Sequence, residues 1–185
     1  MNHAATSKEA LLEASLAIAR TSGLQNLGIR DIARACGISV GCVYRYFPSK
    51  AELLSATVEQ IWRQIFHQSV GCGRPQGFRP CVDWVYGCIR SGSAEYPSFF
   101  SVHSAGFGQN GLSVGRAAME HYLGHIQRGL LQALQQDPDI RPGVFDQAFT
   151  AEDFTGFVLE NLLALGTRQE PDCGYLLSLI GKLLY

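Results

Sequence analysis

The chain lacks an apolar run of 18 residues, which excludes a transmembrane helix by hydropathy. Its opening, MNHAATSKEALLEAS, has neither a basic n-region nor an apolar h-region, so no secretory signal is read there and a cytosolic setting is expected. No CxxC pair joins its six cysteines (Cys36, Cys42, Cys72, Cys81, Cys88, Cys173), so a structural zinc knuckle is not expected. In the cytosol these thiols are expected to be reduced. No repeat or low-complexity tract appears. Net charge is also nearly missing: 15 Lys plus Arg stand against 16 Asp plus Glu, a total of −1. Nucleic-acid binders usually carry a basic footprint, so that total alone argues against one. What the chain does have is 185 residues, 46% of them hydrophobic and 17% charged. This is enough for one large domain or two small ones around a sizeable core, and it excludes a disordered chain.

The first 70 residues predict four helices. Thr6 and Glu9 read as a capping box for a helix over residues 7–22, with Leu11, Ala14, Ser15, Ile18 and Ala19 on one face and Gly23 as its stop. A second helix runs from about Ile29 to Cys36, ended by Gly37. Ser39 caps a third, Val40 to Phe47. After Pro48, Ser49 with Glu52 opens a fourth, whose Leu54, Val58, Ile61 and Ile65 share a face.

The second and third helices, joined by a Gly-containing turn, form a helix-turn-helix candidate. On the third, Val43 and Phe47 stand four apart and are expected in the core. Val40, Cys42, Tyr44, Arg45 and Tyr46 then point outward. Hydroxyls, basic side chains and helix N-termini are the groups that position DNA phosphates, and Lys50 adds a cation at the next helix start. A lysine there opposes the helix dipole, a cost that a nearby phosphate relieves.

The stretch GIRDIARACGISVGCVYRYFPSKAELL resembles the DNA-binding signature of the TetR family of transcriptional regulators, over about residues 8–66. The resemblance implies that Tyr44, Tyr46 and Lys50 touch phosphate, that Arg30 reaches DNA, and that Val40, Gly41, Cys42 and Arg45 face base edges. It departs from the family at Gly28, where Thr or Ser usually caps the second helix, and at Cys42, commonly Thr, Ser or Ala. Cys42 is therefore expected to pack on a thymine methyl, and Arg45 to be the best base reader. With no Lys or Arg before Lys8, no minor-groove arm is expected.

The rest predicts an all-α sensor and dimerisation region. Residues 71–77 read as a loop, Arg79–Glu95 as a helix, Pro97–His103 as a short helix, and 104–111 as a Gly-rich loop. A long helix follows, about Leu112 to Gln136, with Met119, Tyr122, Ile126, Leu130 and Ala133 as its core face. Thr150 with Asp153 caps another, about Ala151 to Thr167, and Pro171 with Asp172 starts the last. These two final helices are so apolar that burial on two sides is expected, as in a four-helix dimer interface; family members likewise dimerise through them. Phe154, Phe157, Val158, Leu162, Leu165, Leu176, Ile180 and Leu183 are the candidate interface residues.

Family sensor domains bind a small molecule among the middle helices. Here Trp84, Phe99, Phe100, His103, Phe107, Tyr122 and Asn161 offer an aromatic, sparsely polar lining, although plain core packing accounts for each of them singly. Asn161, on an apolar face, needs a partner, either a ligand or its own copy across a dimer axis. His121 and His125 have i, i+4 chelate spacing but read as a solvated pair, so no metal and no cofactor is expected. Cys42 near Arg45 and Cys72 near Arg74 are the thiols best placed for a redox-sensing alternative.

No nucleophile elbow, phosphate loop or metal motif is read, so no catalytic residue is expected. The expected architecture is a helix-turn-helix domain over residues 1–50, a connecting helix over 51–70, and an effector-binding and dimerisation domain over 71–185. The expected function is a homodimeric regulator, a repressor by type, of a palindromic double-stranded DNA operator, released by a small-molecule effector. A helical dimer acting through protein partners is the other alternative. Within this division the charge separates: residues 1–50 carry six Lys or Arg against three acids, a surplus of +3, and residues 51–185 carry nine against thirteen, a deficit of −4. A near-neutral total thus conceals a positive head on an acidic body.

Overall fold

The computed structural model describes residues 7–67, 75–97, 99–100 and 113–185. These contain eight α-helices and no strand: α1 (Lys8–Ser22), α2 (Ile29–Ala35), α3 (Val40–Tyr46), α4 (Lys50–His67), α5 (Phe78–Glu95), α6 (Ser113–Gln135), α7 (Ala151–Thr167) and α8 (Gly174–Leu184). The fold class is all-α, as expected. A three-residue 3₁₀ turn, Leu24–Asn26, which the sequence reading did not foresee, joins α1 to α2. The Pro97–His103 helix is replaced by turn where the chain is described, at residues 97, 99 and 100, with the Phe99 amide bonded to the Tyr96 carbonyl at 3.1 Å.

The chain is compact as two units. One comprises the residues up to Gln64 together with Ala94–Glu120; the other comprises Ile65–Ser93 and His121–Tyr185. Helices α4, α5 and α6 each contribute residues to both units.

In the first unit, α1 starts one residue later than the Thr6 capping box implied. The cap is Ser7, whose hydroxyl accepts the Ala10 amide at 3.2 Å. Leu11, Ser15, Leu16 and Ala19 are the buried face, with Ala14 and Ile18 only half-buried. Ser15 escapes the cost of a buried hydroxyl by donating to the Leu11 carbonyl at 2.7 Å. Gly23 and Gly37 both adopt positive φ, 80° and 65°, where a side chain would be strained, so they end α1 and α2 as read. Leu54, Val58 and Ile61 of α4 are buried, and Trp62 meets Phe99 and Phe100 edge-on, each at 5.5 Å.

In the second unit, Thr150 caps α7 and exchanges bonds with Asp153: its Oγ1 accepts the Asp153 amide at 3.0 Å and donates to Oδ2 at 2.7 Å. The last helix begins at Gly174 rather than at Pro171, because Asp172 accepts the Gly174 amide at 2.8 Å and so caps the turn ahead of it. On α6 the buried positions are Met119, Leu123, Leu130 and Leu134, the first of which belongs to the other unit. Of the face expected for it, Met119 and Leu130 are buried, whereas Tyr122, Ile126 and Ala133 are half-buried, their places in the core being taken by Leu123 and Leu134. The start of α5 is held from a distance. Asp137 accepts the Phe78 amide at 2.7 Å, satisfying a donor that no residue of α5 itself can pair.

Candidate nucleic-acid interface

The reading head is built on two buried anchors. Val43 and Phe47 are buried, as their i, i+4 spacing required, and they fix the roll of α3 against the first unit. Ser39 caps α3 by accepting the Cys42 amide at 3.2 Å, and Ser49 caps α4 by accepting the Glu52 amide at 3.1 Å. Lys8 places its ammonium 5.3 Å from the centroid of the Phe47 ring, fastening the start of α1 to the end of α3.

With the anchors inward, Val40, Gly41, Tyr44 and Arg45 are exposed on α3, and Arg30 and Lys50 are exposed at the starts of α2 and α4. Cys42 and Tyr46 are half-buried. A large aromatic such as Tyr44, 46% exposed on a charged surface, is poorly explained by packing within this chain. Arg45 takes part in none of the three ion pairs among the described residues. Lys50 is the first residue of α4, where its charge faces the positive end of the helix.

Gly28 caps α2 without a side-chain bond, and an added Cβ there would lie 2.6 Å from Asp31 Oδ2. The Asp31 carboxylate therefore occupies the space that a capping Ser or Thr would take. It also pairs with Arg34 at 3.4 Å, on the exposed side of α2.

The spacing Gly37-Ile38-Ser39-Val40-Gly41 has the G-x-S-x-G form of a nucleophile elbow, which corrects the expectation that none exists. Its context is wrong for catalysis. It joins two helices where an elbow joins a strand to a helix, and the Ser39 hydroxyl is spent on the Cys42 amide. A second such spacing, at 111–115, begins outside the described residues.

The expected sensor residues are divided between the two units. Phe99 and Phe100 are buried in the first unit against Trp62. Trp84, Tyr122 and Asn161 lie in the second and are half-buried; Trp84 packs on Phe66 with ring centroids 6.1 Å apart. His103 and Phe107 fall outside the described residues, as do Cys72 and Arg74. Asn161 finds one partner on its own helix, where Nδ2 donates to the Phe157 carbonyl one turn back at 2.8 Å. An open groove of about 680 Å³ in the second unit, lined in part by Arg79, Asp83, Asp137, Leu177 and Tyr185, contains none of the proposed lining residues.

The interface list divides by burial. Phe154, Val158, Leu162, Leu176 and Ile180 are buried within the second unit and Leu165 is half-buried, whereas Phe157 and Leu183 are exposed. Two apolar residues absent from that list, Tyr175 and Leu179, are exposed on α8 in register with Leu183. Sequence periodicity marks both sides of such a helix as apolar and cannot say which side its own chain covers.

Two thiols are poorly suited to redox work. Burial pushes the Cys36 pKa up, and burial with the adjacent Asp83 carboxylate pushes Cys173 up to about 12, so both are held protonated. Among the described residues no helix is long and apolar enough to cross a membrane.

Residues 11–57, which hold α2, α3 and the two anchors, match the sequence profile described as bacterial regulatory proteins, tetR family. The HTH-type transcriptional repressor KstR of Mycolicibacterium smegmatis is 36% identical over 58 residues, which are 31% of this chain and 28% of that protein. The HTH-type transcriptional regulator CymR of Pseudomonas putida is 39% identical over 59 residues, 32% of this chain and 29% of that one. The matched stretch thus spans under a third of either relative. The likeness of fold runs further: the crystal structure of BioQ with its natural double-stranded DNA operator superposes with a TM-score of 0.63 at 18% identity, over 96% of this chain and 98% of that one. Residues 11–57 thus form a reading head of the type found in bacterial regulatory proteins of the tetR family, within a chain whose fold resembles that of the BioQ structure.

Proposed function

We propose that the chain is a repressor that binds a palindromic DNA operator as a homodimer and is released by a small-molecule effector. The observation that carries the DNA reading is the separation on α3 of buried Val43 and Phe47 from exposed Val40, Gly41, Tyr44 and Arg45, flanked by exposed Arg30 and Lys50. Arg45 reads a guanine by two parallel hydrogen bonds, the commonest specific contact, and Tyr44, Tyr46, Arg30 and Lys50 hold phosphates and set the register. Val40 and Cys42 supply apolar contacts to base edges, and Gly41 lets the helix approach closely.

A helix-turn-helix dimer places its two reading helices about 34 Å apart, one turn of DNA. The exposed apolar residues of α7 and α8 supply the surface for a second copy. An effector held among the sensor helices, with Trp84, Phe99, Phe100, His103, Phe107, Tyr122 and Asn161 as its candidate contacts, would release DNA by favouring a state in which that spacing is lost, which requires different affinity for the two states. Such a protein acts where the chromosome is, in the cytoplasm.

Selection from random duplex DNA by the purified chain tests the reading. A palindromic consensus is expected, with affinity that falls steeply as salt rises. Tyr44→Ala and Arg45→Ala should abolish or relax it while leaving the melting temperature in place. Unchanged operator affinity in both variants sinks the assignment.

A further inference from the structure

On α6, His121 and His125 face each other across one helical turn, both exposed, with Nε2 atoms 3.1 Å apart and ring centroids at 4.6 Å. A divalent transition metal binds imidazole nitrogen at about 2.0–2.1 Å, so two nitrogens on one ion lie about 2.9 Å apart at a right angle and about 3.3 Å apart at the tetrahedral angle. The observed separation falls between these values, and it is measured between the same two nitrogens that would ligate the ion.

We propose that His121 and His125 form a two-histidine site for a divalent transition metal of the nickel, copper or zinc class. The spacing alone predicts a solvated pair; the 3.1 Å approach of the two Nε2 atoms is what the structure adds. Metal binding needs the neutral imidazole, with a lone pair on each ligating nitrogen. Between two neutral rings one Nε2–H donates to the other Nε2, so chelation moves that one proton to Nδ1, which faces water, and changes nothing else. Imidazole ligands favour these metals over magnesium or calcium. No group of three or more metal-ligating side chains occurs among the described residues. The described residues therefore supply two ligands, and water or another donor fills the remaining positions.

The test uses the full chain with its cysteines kept reduced by a phosphine, titrated with Ni²⁺ by calorimetry, and compares it with His121→Gln, His125→Gln and the double variant. Both positions are exposed and Gln is a good helix former, so metal-free melting temperatures should match and confirm that the variants are folded. One Ni²⁺ per chain is expected for the wild type. Loss of a mere supporting partner of a ligand costs about 10–100-fold in affinity, so each single variant should weaken binding by about tenfold or more, and the double should remove it. In ¹⁵N-histidine spectra, Zn²⁺ should shift the Nε2 signals of both rings together. A wild-type Kd weaker than about 1 mM, or a double variant that binds as well as the wild type because thiols take the metal, overturns the proposal.

Discussion

Arg20 lays its guanidinium over the ring of Tyr96, 5.1 Å from the centroid, and donates Nε to Glu95 at 2.9 Å. A second nitrogen, Nη2, donates to Gln64 Oε1 at 3.0 Å, and the Tyr96 hydroxyl donates to that same oxygen. One side chain of α1 thereby fastens the end of α5 and a polar residue of α4, all within the first unit. Arg is required for this: its planar fork stacks and donates in two directions at once, which a lysine cannot do. Arg20 and Glu95 are partly exposed, so the ion pair adds little and the stacking supplies most of the effect. Arg20→Lys should lower stability by about 1 kcal/mol, read as a shift in urea midpoint at unchanged slope. A midpoint equal to that of the wild type would show the arrangement to be energetically idle.

Gly28 is one of the two positions where this head departs from the signature it resembles, and Asp31 explains how it does without a capping hydroxyl. The carboxylate leans into the space above Gly28, favourably placed in the first turn of α2. It sits at the far end of a flexible side chain and can swing away. Gly28→Ser should therefore fold, gain a few tenths of a kcal/mol from the cap, and add a hydroxyl for phosphate. Thermal melting and operator titration measure the two effects separately. Destabilisation by Gly28→Ser would mean that Asp31 is fixed where it is.

Local signals were legible because their partners lie within a turn. Ser39, Ser49, Thr150, Gly23 and Gly37 each act on backbone three or four residues away, and all five perform the task read for them. The exposed row on α3 followed from Val43 and Phe47 in the same way. What failed depends on distant chain. The face of α6 is only partly legible, because apolar residues occur around most of that helix and only tertiary packing adds Leu123 and Leu134 to Met119 and Leu130. The Asp137 cap on α5 spans 59 residues of sequence, and no local pattern announces it.

That cap gives the second unit an acid sensitivity. Burial alone would raise the Asp137 pKa. Bonds from the Tyr185 hydroxyl at 2.5 Å and from the Phe78 and Asp139 amides outweigh it, and the net shift is downward from 3.8. A carboxylate depressed in the folded state stabilises the fold above its unfolded pKa, and that contribution is lost as pH falls below about 4, through the folded value. Asp137→Asn should cost about 1 kcal/mol near neutral pH, within the range for a lost cap, and flatten the acid limb of the stability curve. Tyr185→Phe should move the Asp137 titration, followed by carboxyl ¹³C shifts, back toward 3.8. An unmoved titration would remove Tyr185 from the account.

Phe157, Tyr175, Leu179 and Leu183 are 53%, 81%, 37% and 47% exposed, while their neighbours Val158, Leu162, Leu176 and Ile180 are buried by the chain itself. On α8 the three exposed residues recur every fourth position, so they form one stripe along the helix rather than isolated surface groups. An apolar stripe on an outer helix face is costly in water and typical of a surface that a partner covers. A symmetric interface presents each residue to its own copy or to a neighbour across the axis, so one added charge is repeated and repelled. Phe157→Glu and Leu183→Glu should therefore yield a folded monomer by sedimentation, with the melting temperature no longer dependent on protein concentration. Substituting the buried Leu162 by Ala should instead cost about 2–5 kcal/mol through a cavity in the monomer's own core, whatever its oligomeric state. Monomerisation by the two surface variants, with helix content intact, separates the covered face from the core that lies beneath it. A dimer that survives both charges places the interface elsewhere on the chain.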